Sequence, residues 1–330
     1  MRIGVIIPTY NRRAFVERTI ESALAQTRPF DDILVVDDGS TDGTAVAVAA
    51  FVKRTDGLVR YHRRENGGLS AARNTGQALA AQQCDALLFL DSDDLLMPTA
   101  VERLERALRE TAEAPLAFCH ACYVNADDQP LVLPNTALRD EPQDGDMWKH
   151  LLRGNCIRTA GGVLLRRAAL NRAGPWDETL NSNEDWDMWL RLAEHGKPFV
   201  RVPEPLLRYR IHGSNMSGNR AVMRQTALRV YEKQIERHAH DASKLAEVRL
   251  RYHAFVESRA GSEKATAEPQ PVYIASAAAN SPSSYTEAMY VRHIRFRSII
   301  ERTGIAALYR KIPLVWRLHV RSLFGINPNV

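Results

Sequence analysis

Leu87-Leu88-Phe89-Leu90-Asp91-Ser92-Asp93-Asp94 runs four apolar residues straight into three carboxylates within four positions. An apolar run this short, bounded by a polar break, reads as a strand buried on both faces, and strands of that kind belong to parallel sheets covered by helices. Ile33-Leu34-Val35-Val36 has the same form and ends on Asp37-Asp38-Gly39-Ser40-Thr41-Asp42-Gly43, while Ile3 to Pro8 is a β-rich run leading into Thr9-Tyr10-Asn11. Helix-period segments lie between them. Asn11 is placed to cap a helix with Val16, Ile20, Ala23 and Leu24 on its apolar face, Ala45–Val52 is a second helix, and residues 70–81 carry Ala71, Ala72, Ala78 and Leu79. Val59 to His62 is a short additional strand. Strand and helix alternating over short connections predict an α/β fold, a Rossmann-like, mostly parallel central sheet flanked by helices, with ligand groups on the loops at the carboxyl ends of the strands.

Beyond residue 98 the pattern loosens. Residues 99–113 read as an amphipathic helix with Leu104 and Leu108 facing in, 115–125 and 161–166 as strands, and Glu184–His195 as a helix with Met188, Leu190 and Leu192 on or near its buried side. The expected organisation is two halves of one domain, 1–98 and 99–218, then a helical C-terminal extension over 219–257. A linker over 258–288, broken by Pro269, Pro271 and Pro282, and a basic amphipathic tail over 289–330 follow.

The 330 residues carry 44 Lys and Arg against 39 Asp and Glu, with 45% hydrophobic content, which excludes a disordered tail, a fibrous repeat and a disulfide mini-protein. The net charge of +5 sits in the tail. Residues 291–330 hold seven Arg and Lys311 against Glu301 alone, which is +7 and leaves −2 for the first 290 residues, so no basic face for nucleic acid is expected there. Ile294, Phe296, Ile299, Leu308, Trp316 and Phe324 interleave with those cations, a pattern suited to an anionic membrane surface or equally to packing on protein. No apolar run is long enough to span a bilayer, and Met1-Arg2-Ile3-Gly4-Val5 reads as a strand rather than a signal peptide, so a cytoplasmic location is expected, with peripheral contact at the inner face of the membrane as a possibility for the tail. Cys84, Cys119, Cys122 and Cys156 are expected as reduced thiols, because Cys119-His120-Ala121-Cys122 lacks the second ligand pair that a zinc site needs.

Three strand ends carry the chemistry. Asp37 and Asp38 lie where open α/β sheets bind ligands, though turn residues capping a helix look the same. Asp91, Asp93 and Asp94 form an oxygen-rich edge of the kind Mg²⁺ or Mn²⁺ takes together with substrate phosphates, against the alternative of a solvated acidic turn. Asn66-Gly67-Gly68 through Gly76 is a glycine-rich loop entering a helix, and Arg73 there can offer a fork of donors. It matches neither the P-loop nor the GxGxxG pattern.

Taken in order, Val5 to Arg12, Val35 to Thr44, Gly68 to Gly76, Leu90 to Asp94, Asn183-Glu184-Asp185-Trp186-Asp187-Met188-Trp189-Leu190 and Tyr209-Arg210-Ile211-His212-Gly213-Ser214-Asn215-Met216-Ser217 closely resemble the inverting family 2 glycosyltransferases of the A-type nucleotide-sugar (GT-A) fold, over residues 3 to about 217. The resemblance implies that Pro8, Thr9 and Tyr10 line a uridine pocket, with Asp38 accepting from the pyrimidine N–H and Arg73 near the base or phosphates. It implies Asp91 and Ser92 beside the ribose, and Asp93 as ligand of a Mn²⁺ or Mg²⁺ ion. His212 is implied near the diphosphate or metal, with a hydrogen-bonded loop histidine as the competing reading. Asp185 is implied as general base, where a helix start with dipole-favoured acids is the alternative. Glu184 and Trp186 fall on the acceptor side; Trp148 and Trp176 lie in the same stretch, and Trp189 is read as core.

The implied activity is metal-dependent, inverting transfer of a sugar from a nucleotide diphosphate donor, a UDP-sugar by expectation, to a hydroxyl of a glycan or lipid-linked acceptor in polysaccharide or cell-envelope glycan synthesis. Two rivals stand beside it. One is a catalytically silent nucleotide-sugar-binding module. The other is a sugar nucleotidyltransferase, whose Gly-rich, Arg- and Lys-bearing loop is missing after Ile7.

Overall fold

The computed structural model describes residues 1–80, 83–132, 146–157, 159–260 and 272–273. Two compact units divide the chain, one of residues 1–121 and 137–268 and one of residues 122–136 and 269–330.

In the first unit β1 (Ile3–Thr9) pairs in parallel with β2 (Asp32–Asp37) on one side and β4 (Ala86–Phe89) on the other, and β3 (Val59–Arg63) extends the sheet beyond β2. α1 (Arg13–Leu24), α2 (Thr44–Arg54) and α3 (Leu69–Leu79) make the connections. Alternation along the strands sorts the core into two layers. Ile3, Val5 and Ile7 of β1 and Ile33 and Val35 of β2 pack against Val16 and Ile20 of α1 and Val48 and Phe51 of α2. Ile6, Leu34 and Val36 point the other way, toward Ala72 of α3. This is the flanked, mostly parallel sheet that the apolar runs predict.

α3 lies unusually close to that sheet. A Cβ built on Gly76 would stand 2.3 Å from Cγ2 of Ile6, so only glycine lets helix and strand approach this far.

Past β4 come β5 (Leu95–Leu96), α4 (Ala100–Glu110) and β6 (Leu116–Val124), and later α5 (Met147–Leu152), β8 (Val163–Arg166), α6 (Arg167–Ala173), α7 (Glu184–Ala193) and β9 (Val200–Arg210). β8 inserts antiparallel between β4 and β6, with Leu165 in one layer and Leu164 in the other. β9 pairs antiparallel with β5. α8 (Arg220–Arg237) and α9 (Ala242–Ala260) belong to the same unit, where Ala227, Val230, Tyr231 and Val248 join the core layer that holds α7. The segment expected as an extension is thus continuous with the core layer that holds α7.

In the second unit β7 (Pro130–Val132) pairs antiparallel with Tyr123 and Val124 of β6, and β10 (Val272–Tyr273) pairs antiparallel with β7. α9 runs to Ala260 and β10 lies at 272–273, both inside the stretch expected as an irregular linker; the rest of 258–288, and the basic tail over 289–330, lie outside the described residues. Among the described residues no helix is long and apolar enough to cross a membrane. Cys84, Cys119, Cys122 and Cys156 form no disulfide among the described residues.

Candidate active site

The chain leaves β1 toward β2 and β3 on one side and returns to β4 on the other, so the strand order reverses at β1, and a crevice opens at the carboxyl ends where it does. A cleft of about 450 Å³ lies there, lined by Pro8, Thr9, Tyr10 and Asp38 from the parallel strands, Asp91, Ser92 and Asp93 after β4, and Glu184 and Asp185 from α7.

Thr9 is buried, with no hydrogen-bond partner for its hydroxyl, and Tyr10 stands 48% exposed beside it. Asn11 does not cap α1. Its amide donates to Ser40 Oγ at 2.9 Å and its side-chain oxygen accepts from the Thr41 amide at 2.8 Å, so it bolts the loop after β2 to the end of β1. Asp37 lies beneath, accepting from Tyr61 Oη at 2.6 Å and the Ser40 amide at 2.7 Å.

Asp38 is more engaged than a free base-reading carboxylate. Its oxygens accept from Arg64 Nη1 at 3.0 Å, the Gly67 amide at 3.1 Å and the Gly68 amide at 2.7 Å. In this structure it pins the glycine-rich loop, where Gly68 holds φ at +92°.

The acids after β4 diverge. Asp94 turns inward: its Oδ1 accepts from the Arg210 amide at 2.9 Å, and burial, reinforced by the charges of Asp93 and Asp91, pushes its carboxyl well above the usual range. Asp93 faces the cleft. Burial works against its ionisation, but the hydrogen bond from His212 and the neighbouring Arg12 guanidinium outweigh it and hold the carboxyl below its ordinary value. Arg12 Nε donates to Asp93 Oδ2 at 3.2 Å and His212 Nε2 lies 3.0 Å from the same oxygen. The Ser214 amide donates to His212 Nδ1 at 3.3 Å, which assigns the ring proton to Nε2 and makes His212 the donor to Asp93. His212 stacks on Phe15 with ring centroids 4.8 Å apart. His212 thus lies against Asp93, the other residue expected at the metal, and helps to hold its carboxylate.

Among the described residues no three His, Cys, Asp or Glu side chains converge as a preformed metal cage. That donor set still fits a hard divalent cation bound with substrate phosphates, which needs only one or two carboxylates from the protein. Asp93, held ionised at the cleft wall, meets that need.

Arg73 commits its guanidinium to two carboxylates. It is buried, donates through Nη2 to Asp91 at 2.8 Å and through Nη1 to Glu184 at 2.7 Å, and lies over the ring of Trp176. Thr159 Oγ1 donates to the other oxygen of Asp91 at 3.2 Å. Glu184 is accordingly tied into the wall.

Asp185 is the half-buried carboxylate at the opening of α7, and its Oδ1 accepts from the Trp186 amide at 2.6 Å and Asn155 Nδ2 at 3.2 Å. Burial and the adjacent Glu184 charge push its carboxyl up to about 8, against the pull of Arg73. Trp186 does not reach the cleft. It is 2% exposed, its indole donates to the Leu151 carbonyl at 2.9 Å, and Tyr231 of α8 covers it edge-on, so the acceptor contact expected of it is replaced by a place in the core. Trp148, Trp176 and Trp189 are buried as well.

The family model for glycosyl transferase family 2 matches residues 4–174, a little over half of the chain. The chain belongs to glycosyltransferase family 2. Among curated relatives of this family 2 glycosyltransferase, the putative teichuronic acid biosynthesis glycosyltransferase TuaG of Bacillus subtilis (strain 168) is 30% identical over 237 residues, covering 71% of this chain and 88% of its own. The chondroitin synthase of Escherichia coli is 29% identical over 223 residues, covering 65% of this chain and 30% of that longer protein. In fold, the chain resembles S. aureus TarS 1-349 in complex with UDP-GlcNAc, with a TM-score of 0.58 at 20% identity over 81% of this chain and 77% of that one. It also resembles the mannosyltransferase PcManGT of Pyrobaculum calidifontis in complex with GDP-Man and Mn²⁺, with a TM-score of 0.55 at 18% identity over 79% of each chain.

Within this glycosyltransferase the cleft gathers Pro8, Thr9, Tyr10, Asp38, Arg73, Asp91, Ser92, Asp93, Glu184 and Asp185; His212 stands behind Asp93 rather than in the lining, and Trp186 is left out. Arg12, Arg64, Asn155 and Thr159 touch these groups and were not anticipated. Arg12 stands within a motif and was legible as a cation near an acidic strand end; Asn155 and Thr159 lie in a stretch with no periodic signal.

Proposed function

We propose that this family 2 glycosyltransferase moves a sugar from a nucleotide diphosphate donor, a UDP-sugar, to a hydroxyl of a growing cell-envelope glycan, with inversion and with a divalent cation. The observation that carries the reading is the meeting of Asp93 and Asp185 in one cleft, the first held below and the second raised above the ordinary carboxylate range. Two acids with opposite perturbations suit two different tasks.

Asp93 is the ligand for Mn²⁺ or Mg²⁺, its charge maintained by Arg12 and His212. The bound cation supplies Lewis-acid stabilisation of the leaving diphosphate. Thr9 and Tyr10 take the nucleoside, the unpartnered Thr9 hydroxyl offering a hydrogen bond, and the loop pinned by Asp38 closes that side. Arg73 keeps Asp91 placed at the donor. Asp185 receives the proton of the acceptor hydroxyl as the oxygen forms its bond to the anomeric carbon, and the bond to the diphosphate oxygen breaks with its electron pair. A single displacement inverts the anomeric centre.

The UDP-GlcNAc bound in TarS supports a uridine donor, and GDP-Man with Mn²⁺ in PcManGT supports the cation. The name of TuaG supports an envelope-polymer acceptor. Incubating full-length protein and MnCl₂ with UDP-GlcNAc, UDP-Glc, UDP-Gal, UDP-GlcA and GDP-Man, and reading nucleoside diphosphate release, tests the proposal. One uridine donor should be consumed, and EDTA or Asp93→Ala should stop it; consumption unaffected by both would refute the cation's role, and exclusive use of GDP-Man would refute the uridine preference.

A further inference from the structure

Asn183 precedes α7 in a left-handed backbone conformation, with φ at 56° and ψ at 16°. A non-glycine residue stays there only when its surroundings over-determine it. The surroundings are on α8. Asn183 Nδ2 uses both of its hydrogens, one on Thr226 Oγ1 at 2.7 Å and one on the Met223 carbonyl at 2.9 Å.

The Thr226 hydroxyl is equally complete. It lies 2.9 Å from the Val222 carbonyl and 3.3 Å from that of Met223, accepts from Asn183, and shares a hydrogen bond of 2.6 Å with Ser182 Oγ in which either hydroxyl can donate. One hydrogen and two lone pairs are all that a hydroxyl has. Only the Nδ2 edge of Asn183 can face the Met223 carbonyl, which fixes the orientation of the amide in a site where Thr226 is 9% exposed.

The consequence reaches Asp185 through the backbone. The Asn183 carbonyl accepts from the Asp187 amide at 3.1 Å, which closes the first turn of α7, and Asp185 sits inside that turn. Met188, Trp189 and Leu190 bury the body of the helix, and its first turn is anchored by Arg73 on Glu184 and, where the chain enters it, by Asn183 on α8. Met223, one turn before Thr226 on α8, lines the cleft itself.

We propose that Thr226 is a positioning residue for the Asp185 carboxylate, acting through Asn183, and that α8, which lies beyond the segment matched by the family model, is thereby a working part of the transfer site. The inference rests on the assignment of Asp185 as base.

Thr226→Val keeps the side-chain shape and removes the hydroxyl, and Thr226→Ser keeps the hydroxyl. Both are made in the full chain, beside Asp185→Asn. The readouts are steady-state turnover of the uridine donor consumed in the panel above, UDP affinity by calorimetry with MnCl₂, and amide hydrogen exchange over 183–190. Thr226→Val should lower kcat by about tenfold to a hundredfold, the scale on which displacement of a reacting group acts, and leave donor KM within about twofold of the parent. Exchange at the Asp187 amide should quicken while the amides of α8 stay protected, and Thr226→Ser should restore both. Asn183→Gly, which accepts the left-handed backbone but has no tether, reads the same linkage from its other end and should lower kcat likewise should Thr226→Val not fold.

Unchanged kcat and unchanged Asp187 exchange in Thr226→Val, or in Asn183→Gly where that variant takes its place, would overturn the inference, as would equal loss of turnover and UDP affinity. The two failures are separable. Turnover retained in Asp185→Asn removes the base assignment itself, whereas an inactive Asp185→Asn beside a fully active Thr226→Val removes the positioning role alone.

Discussion

Arg73 Nη1 donates to Glu184 Oε1 at 2.7 Å, so a residue of α3 holds the first residue of α7. The same guanidinium holds Asp91 at 2.8 Å, and its fork joins the end of β4 to the start of the helix that carries Asp185. A lysine offers one point charge and cannot reproduce the fork. Arg73→Leu leaves two carboxylates in the wall without their cation, and breaking a buried pair in this way costs about 3–5 kcal/mol. Urea unfolding of Arg73→Leu should show a loss of that size, and Arg73→Lys should recover only part of it.

The raised Asp185 carboxyl carries a signed pH prediction. A base must be ionised to accept a proton, so kcat/KM should climb with pH through about 8, the value to which burial and the Glu184 charge push this group, rather than near the ordinary aspartate value. Stability runs the opposite way. A folded-state value above the unfolded one favours the native state at low pH, and that contribution is lost as pH rises through the folded value. Thermal melts should therefore show Asp185→Asn gaining stability relative to the parent at about pH 9 and gaining little at about pH 5.

Gly76→Ala tests the close approach of α3 to β1. The added methyl would meet Ile6, which is fully buried and has no room to withdraw. Overpacking of this kind costs about 1–3 kcal/mol, and it should exceed any gain in helix propensity. Gly76→Ala combined with Ile6→Val should recover part of the loss in the same unfolding measurement.

Asp38→Ala removes the acceptor for the Gly67 and Gly68 amides and for Arg64. The glycine-rich loop loses its anchor at the nucleotide side of the cleft. UDP affinity measured by calorimetry should fall by about tenfold or more, the scale of one lost buried hydrogen bond to a charged group. Overall stability should fall less than in Arg73→Leu, because Arg64 is better able to find water.

The parallel strands were legible because burial on both faces leaves an uninterrupted apolar run, as in Ile33 to Val36 and Leu87 to Leu90. The loop acids followed from the strands, since carboxylates at strand ends fall where an open sheet binds ligands. β8 shows where that logic stops: its apolar pattern announces a strand but not its place between β4 and β6. β9 was not anticipated at all, because Pro203 and Pro205 interrupt what would otherwise read as a strand. Trp186 was misplaced because α7 is buried nearly all round, which erases the periodicity that separates a core tryptophan from one at a cleft. The roles of Asp38, Arg73 and His212 depend on partners distant in sequence, Gly68, Glu184 and Asp93, and no local pattern encodes such pairs.

Asp185 is the group that takes the acceptor proton in the proposed transfer, and one substitution tests it most directly. Asp185→Asn, which keeps the shape and removes the base, is compared with the parent in the MnCl₂-supported consumption of the donor, alongside calorimetric UDP binding. The account predicts turnover reduced by about a hundredfold or more, the scale of a lost general base, with UDP binding unchanged. Turnover at the parental rate with binding intact would contradict it.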